Sequence, residues 1–155
     1  MPVTKQSKPE VDVLIKLYEE QWTQVRHLEN QRATVTNLIV IIASAILGFI
    51  VQQGLSIEIL PVSLLLIVLG VYGALASEKY YERIILCIKR STVFRDQIDK
   101  IHPKMNLAQI MKDYSLQHKE RFPRLSKISL RSLWFFLHLA IALGGLALSV
   151  IVLLR

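Results

Sequence analysis

The chain of 155 residues has one cysteine, six glycines and five prolines. A lone Cys87 forms no internal disulfide and holds no structural zinc. So little glycine and proline excludes a collagen-like or low-complexity chain. Catalytic signatures are missing as well: there is no HExxH, GxGxxG, P-loop or GxSxG pattern. His27, His102, His118 and His138 fall on four separate segments without ligand spacing. Cys87 has no histidine near it in sequence and reads as a small buried hydrophobe rather than a nucleophile. The acidic residues sit in charged helical stretches, apart from Glu58. The expectation is a protein that is not an enzyme and takes no cofactor or metal.

Charge of either sign is absent from three stretches: residues 36–53, 59–76 and 133–154. A bilayer core needs about 17–25 apolar helical residues to be crossed. With 52% apolar residues overall, too little polar surface remains to cover three such stretches in a soluble fold. The sequence therefore predicts an all-α membrane protein with three transmembrane helices. The first stretch follows 35 polar residues, so it does not read as a signal peptide. An interfacial helix is the rival for the third. Its residues are apolar all round, however, whereas an interfacial helix keeps a charged face.

Lysine and arginine set the expected orientation. The link at 54–58 has neither, whereas 77–132 holds 13 basic against 6 acidic residues. Residues 1–35 hold five of each, with Arg26 and Arg32 near the first span. The expected map is a cytoplasmic N-terminal helix at 1–35, a span at 36–53 and an outer turn at 54–58. A second span at 59–76, a cytoplasmic helical region at 77–132 and a third span at 133–154 follow. The C-terminus is expected outside. The net charge of +7 is spread and interleaved with acids, so it reads as this inside bias and not as a nucleic-acid surface.

Residues 1–8 are polar and expected to fray, with Ser7 as a cap before Pro9. No breaker interrupts residues 10–47, and Val11, Leu14, Tyr18, Val25 and Leu28 recur at helical steps, with Gln21 in one slot. One helix of about 65 Å is expected from residue 9 to 53, ended by Gly54. Pro61 suits the first turn of the next helix, which runs on through Tyr80, Ile84, Ile88 and Phe94 or Ile98 until Pro103. Both helices would thus extend into the cytoplasm. Asn106 and Gln109 read as a capping pair for a short helix over 106–121. In 124–132, Arg124, Lys127 and Arg131 alternate with aliphatics, and Trp134 follows; these four read as membrane-interface residues.

The first span carries the strongest functional signal. Thr34, Asn37, Ser44, Gly48 and Gln52 lie close to one helical face, opposite Leu38, Ile39, Ile42, Ile46, Phe49 and Ile50. Polar groups persist in a bilayer where they face a partner or water. Helix packing and pore lining both explain the stripe, and both require self-association. Small residues at Gly70, Gly73, Ala74 and Ser77, and at Ala140, Gly144, Gly145 and Ser149, read as close helix contacts. His138, inside the third span, reads as an interhelical hydrogen-bonding residue.

RHLENQRATVTN (26–37) leads into a first span, a very short turn and a second span, and EKYYERIILCIKR (78–90) continues inward. This arrangement, over about residues 10–100, resembles the SLATT group of small membrane effectors linked to nucleotide-sensing bacterial defence. It is similar also to the RipA-like small octameric membrane proteins and to the pore-forming membrane accessory of an RNA-targeting CRISPR system. The resemblance implies a homo-oligomeric ring in the bacterial inner membrane that opens or damages it when a soluble sensor signals. Arg32 and Asn37 are its candidates for the pore mouth, and no catalytic residue carries over. The third span departs from the plain two-span pattern. A non-conducting scaffold that docks a soluble partner through its cytoplasmic helices is the alternative.

Overall fold

The structure is a computed structural model that describes residues 7–154, with side chains from Pro9 onward. Among the described residues about 90% are helical and no strand occurs. Four α-helices follow in order: α1 (Ser7–Gln53), α2 (Leu60–Ile101), α3 (Leu107–Arg121) and α4 (Leu130–Leu153). Helices α1, α2 and α4 are each long and apolar enough to cross a membrane. The expectation for residues 1–6, and for Arg155 beyond the third span, lies outside the described residues.

Breakers set the ends. Gly54 adopts φ 75°, a left-handed conformation open to glycine, and its N–H bonds the Ile50 carbonyl at 3.0 Å. A single 3-10 turn at Ile57–Ile59 then leads into α2, with Pro61 in its first turn. Helix α2 stops two residues before Pro103, as the residue preceding a proline disfavours helical geometry.

The start of α3 corrects the sequence expectation. Asn106 sits at φ 46°, ψ 44° and makes no capping hydrogen bond. The cap comes instead from Asp99 on α2, whose two carboxylate oxygens accept from Leu107 N–H and Ala108 N–H at 2.8 Å each. An anionic acceptor at a helix N-terminus gains from both the open N–H groups and the helix dipole. Gln109 bonds forward to Asp113 at 2.8 Å, one turn on, and not back to a cap.

The chain divides into two compact units, one of Met1–Glu29 with Glu82–Ile128, the other of Asn30–Tyr81 with Ser129–Arg155. In the first, Val25, Ile84 and Cys87 form a small core that Trp22, Leu28 and Ile88 complete. Cys87 is buried, as its surroundings in sequence suggested. Gln21 Oε1 and Trp22 Nε1 are buried there without hydrogen-bond partners. Helix α3 has no buried residue, although Leu107, Ile110, Met111, Tyr114 and His118 share a side.

In the second unit, α1 contributes Ala43, Ile46 and Ile50 to a core with Ile59, Leu66 and Val152. Glycines let the backbones meet. A Cβ at Gly70 would overlap the Ala142 backbone, and one at Gly73 would overlap the His138 ring. At Gly145 it would lie 2.8 Å from Leu66 Cβ and from the Ser63 carbonyl. Where helices of this kind lie in lipid, little hydrophobic drive remains between them, and close packing and polar pairs hold them together.

Candidate functional site

Helix α1 presents two contrasting faces in the second unit. Ile39, Ala43, Ile46 and Ile50 are buried, and Arg32 and Thr36 join them one heptad earlier. Thr34, Asn37, Ser44, Gly48 and Gln52 are all exposed. At 3.6 residues per turn the two sets point in nearly opposite directions. The face read from sequence as wholly lipid-like is therefore split. Ile39, Ile46 and Ile50 form the inner contacts, while Leu38, Ile42 and Phe49 stay outside.

The polar stripe accordingly lies outside the bundle that one chain builds. Nothing stands within 4 Å of a Cβ placed on Gly48, so its small size answers to no neighbour within the chain. Thr34 turns its hydroxyl back to the Asn30 carbonyl at 2.9 Å. The stripe is not uniformly polar, as Ile41 and Val51 interleave with it and are 64% and 81% exposed.

Arg32 does not share the stripe's direction. It is 5% exposed, and its guanidinium lies 5.3 Å from the centre of the Trp134 ring on α4. The separation from Asn37 has a simple cause: Arg32 is seven residues before Ile39, hence on the inward face. Thr36 is likewise drawn in, where its hydroxyl and His138 Nε2 are 3.1 Å apart. His138 is 1% exposed, and its Nδ1, against Gly73, has no hydrogen-bond partner. Deeper along α2 and α4, the hydroxyls of Ser63 and Ser149 lie 2.8 Å apart and each is 2.9 Å from a carbonyl, of Leu60 and Gly145, so that their two protons serve two of these three contacts. Sequence reading places an interhelical hydrogen bond at His138 but names neither Thr36 as its partner nor the serine pair. The signal available was phase, because Thr36 precedes Ala43 by one heptad, as Arg32 does Ile39.

The four residues expected at the membrane interface fall into two groups. Arg124 and Lys127 are exposed in and beside a 3-10 turn at Leu125–Lys127. Arg131 binds Glu78 of α2 through Nε at 2.8–2.9 Å and Nη2 at 2.5 Å, and lies 4.9 Å from the Tyr81 ring centre. Trp134 receives Arg32. So Arg131 and Trp134 also tie α4 to its neighbours.

Among the described residues no group of three or more His, Cys, Asp or Glu side chains is placed to hold a metal ion. No family model matches this chain, and no curated protein or solved structure does. Fold and site together define an all-helical chain with three helices suited to cross a membrane and an outward polar stripe on the first.

Proposed function

We propose that the protein is a homo-oligomeric membrane effector whose copies form a pore or otherwise breach the bilayer. One observation supports this reading above the rest: the polar stripe of α1 faces away from the core that α1 shares with α2 and α4. In lipid such a stripe calls for a second copy or for water. Three spans cannot enclose a pore alone, whereas a ring of copies can. In this reading the membrane is the bacterial inner membrane, the N-terminus and residues 77–132 are cytoplasmic, and the C-terminus is outside. The resemblance noted above suggests a role in antiviral defence, with a soluble sensor as trigger. Arg32 drops out of the lining, since it is occupied inside the protomer.

The test is ion flux into liposomes holding the purified protein. Asn37→Leu should reduce flux to the empty-liposome level while the mass of the assembled particle stays unchanged. Undiminished flux through that variant would remove α1 from the conducting path. Helix α3, with no buried residue, favours the second reading of a non-conducting scaffold that receives a soluble partner. In that case the unmodified protein passes no ions.

A further inference from the structure

The first unit contains a groove of about 460 Å³ between α1, α2 and α3. Ile15, Ile98, Met105, Ile110 and Met111 line it, with Arg95 and His102 at its polar edge and Glu19 as its one acid. Ile15, Met105 and Ile110 are 40%, 54% and 47% exposed, so the groove is open on one side. The same unit bears a second exposed apolar strip on α1, a low ridge whose Glu10 and Val13 also border a shallow depression with Gln97 and Ile101. Val13 and Leu17 of α1 are one turn apart and 55% and 40% exposed, and exposed Glu10 and Glu20 continue their line at each end. Exposed Lys104 and Lys112 adjoin the lining residues Met105 and Met111 in sequence. Ridge and groove are thus matched in polarity, apolar with apolar, and their flanking charges are opposite, acids beside the one and bases beside the other.

Membrane anchoring adds a restriction on height. Copies related by rotation about the membrane normal place the same residue at the same depth. Val13 and Leu17 of one copy therefore come level with Val11, Ile15 and Tyr18 of the next, which line its groove. We propose that the Val13–Leu17 ridge of each protomer seats in the α1–α2–α3 groove of a second copy, and that this head-to-tail joint closes the ring. Because ridge and groove are different surfaces, the joint is heterologous and generates a ring, not a two-fold dimer. The inference rests on the homo-oligomeric reading and names its contact outside the spans.

The experiment uses full-length chains with Cys87→Ala, in native membranes. Two differently tagged copies are co-expressed, one with Leu17→Cys and one with Ile110→Cys, and mildly oxidised. A disulfide needs the two Cα atoms within about 7 Å, so it reports the joint directly. The expected result is a mixed-tag dimer that neither variant forms alone. A chain with both cysteines should give a ladder that ends at the ring's copy number. Self-crosslinking of Leu17→Cys would indicate paired α1 helices and overturn the joint. Multimeric native mass without a mixed dimer overturns it too, yet leaves self-association standing. The same holds if Ile110→Cys is shielded from maleimide by another protein. Single-copy mass in the membrane refutes both readings.

Discussion

Gly73 and Gly48 make the sharpest contrast the fold offers. Both are glycines of helices long and apolar enough to cross a membrane, Gly73 in a pattern of small residues and Gly48 in the polar stripe. A methyl on Gly73 would occupy the place of the His138 imidazole, whereas one on Gly48 meets nothing within 4 Å. His138 is 1% exposed and cannot yield without moving α4 or breaking its contact with Thr36. Overpacking of this kind costs about 1–3 kcal/mol, and a lost interhelical hydrogen bond in a membrane adds about 0.6. Gly73→Ala should therefore destabilise the protomer by roughly 2–3 kcal/mol. Gly48→Ala should be neutral or slightly stabilising for the protomer, since alanine is the better helix former by about 1 kcal/mol in water. Gly145→Ala serves as an internal check, because its Cβ would stand 2.8 Å from two atoms of α2. Denaturant titration in mixed micelles, followed by tryptophan emission, reads all three, since Trp134 lies in the same bundle. Equal midpoints for Gly73→Ala and Gly48→Ala would refute the close approach of α2 and α4. Equal protomer midpoints with altered flux for Gly48→Ala alone would instead place Gly48 against a second copy.

Further consequences follow from the caps and the serine pair. Asp99→Ala removes the acceptor for two N–H groups of α3 and should cost about 1–2 kcal/mol of local stability, read as faster amide exchange at Leu107 and Ala108. Asn106→Val should loosen the same corner by about 1–2 kcal/mol, because φ 46° penalises a β-branched residue, while Asn106→Gly should not. Ser63→Ala and Ser149→Ala should couple by about 0.6 kcal/mol in a double-mutant cycle of micelle unfolding. Strict additivity would mean that the two hydroxyls do not meet.

Much of this architecture could be read from local chemistry. Three uncharged stretches revealed the long apolar helices, and Gly54 and Pro103 marked where two of them end, because a breaker acts on its own few residues. Long-range partners were less accessible. Asp99 caps a helix that begins eight residues later, beyond a proline turn, and nothing near Asn106 announces that a better acceptor will arrive from α2. Arg32 is a pore-mouth candidate through the family resemblance alone. Its heptad relation to Ile39 was visible, but Trp134, a hundred residues away, was needed to show how a cation is accommodated on a buried face. Helical phase grouped the polar residues of α1 on one face without help, as it depends only on 3.6 residues per turn, while the direction of that face needed the packing of α2 and α4.

The stripe's meaning turns on how polarity is settled in lipid. Within the protomer, hydroxyls and imidazole find each other: Thr36 meets His138, and Ser63 meets Ser149. Asn37 follows Thr36 directly, about 100° further round the helix, and is exposed. Leaving a polar side chain without a partner in an apolar medium costs about 1–3 kcal/mol by mutational measures. Across Asn37, Ser44 and Gln52 that penalty rewards any assembly that supplies water or cross-helix acceptors. Packing and pore lining both remove it, and they differ in one observable, access to water. Single cysteines at positions 37, 44 and 48, in a Cys87→Ala chain, should react with a charged, membrane-impermeant thiosulfonate if they line an aqueous path. Cysteines at 39, 43 and 46 should stay inert in either case, because α1 turns them into its own bundle. Reaction at the first set alone, with a matching change in flux, establishes a wet stripe. Silence at all six positions in a particle that is still multimeric makes the stripe a dry packing seam, and conduction would then have to pass elsewhere.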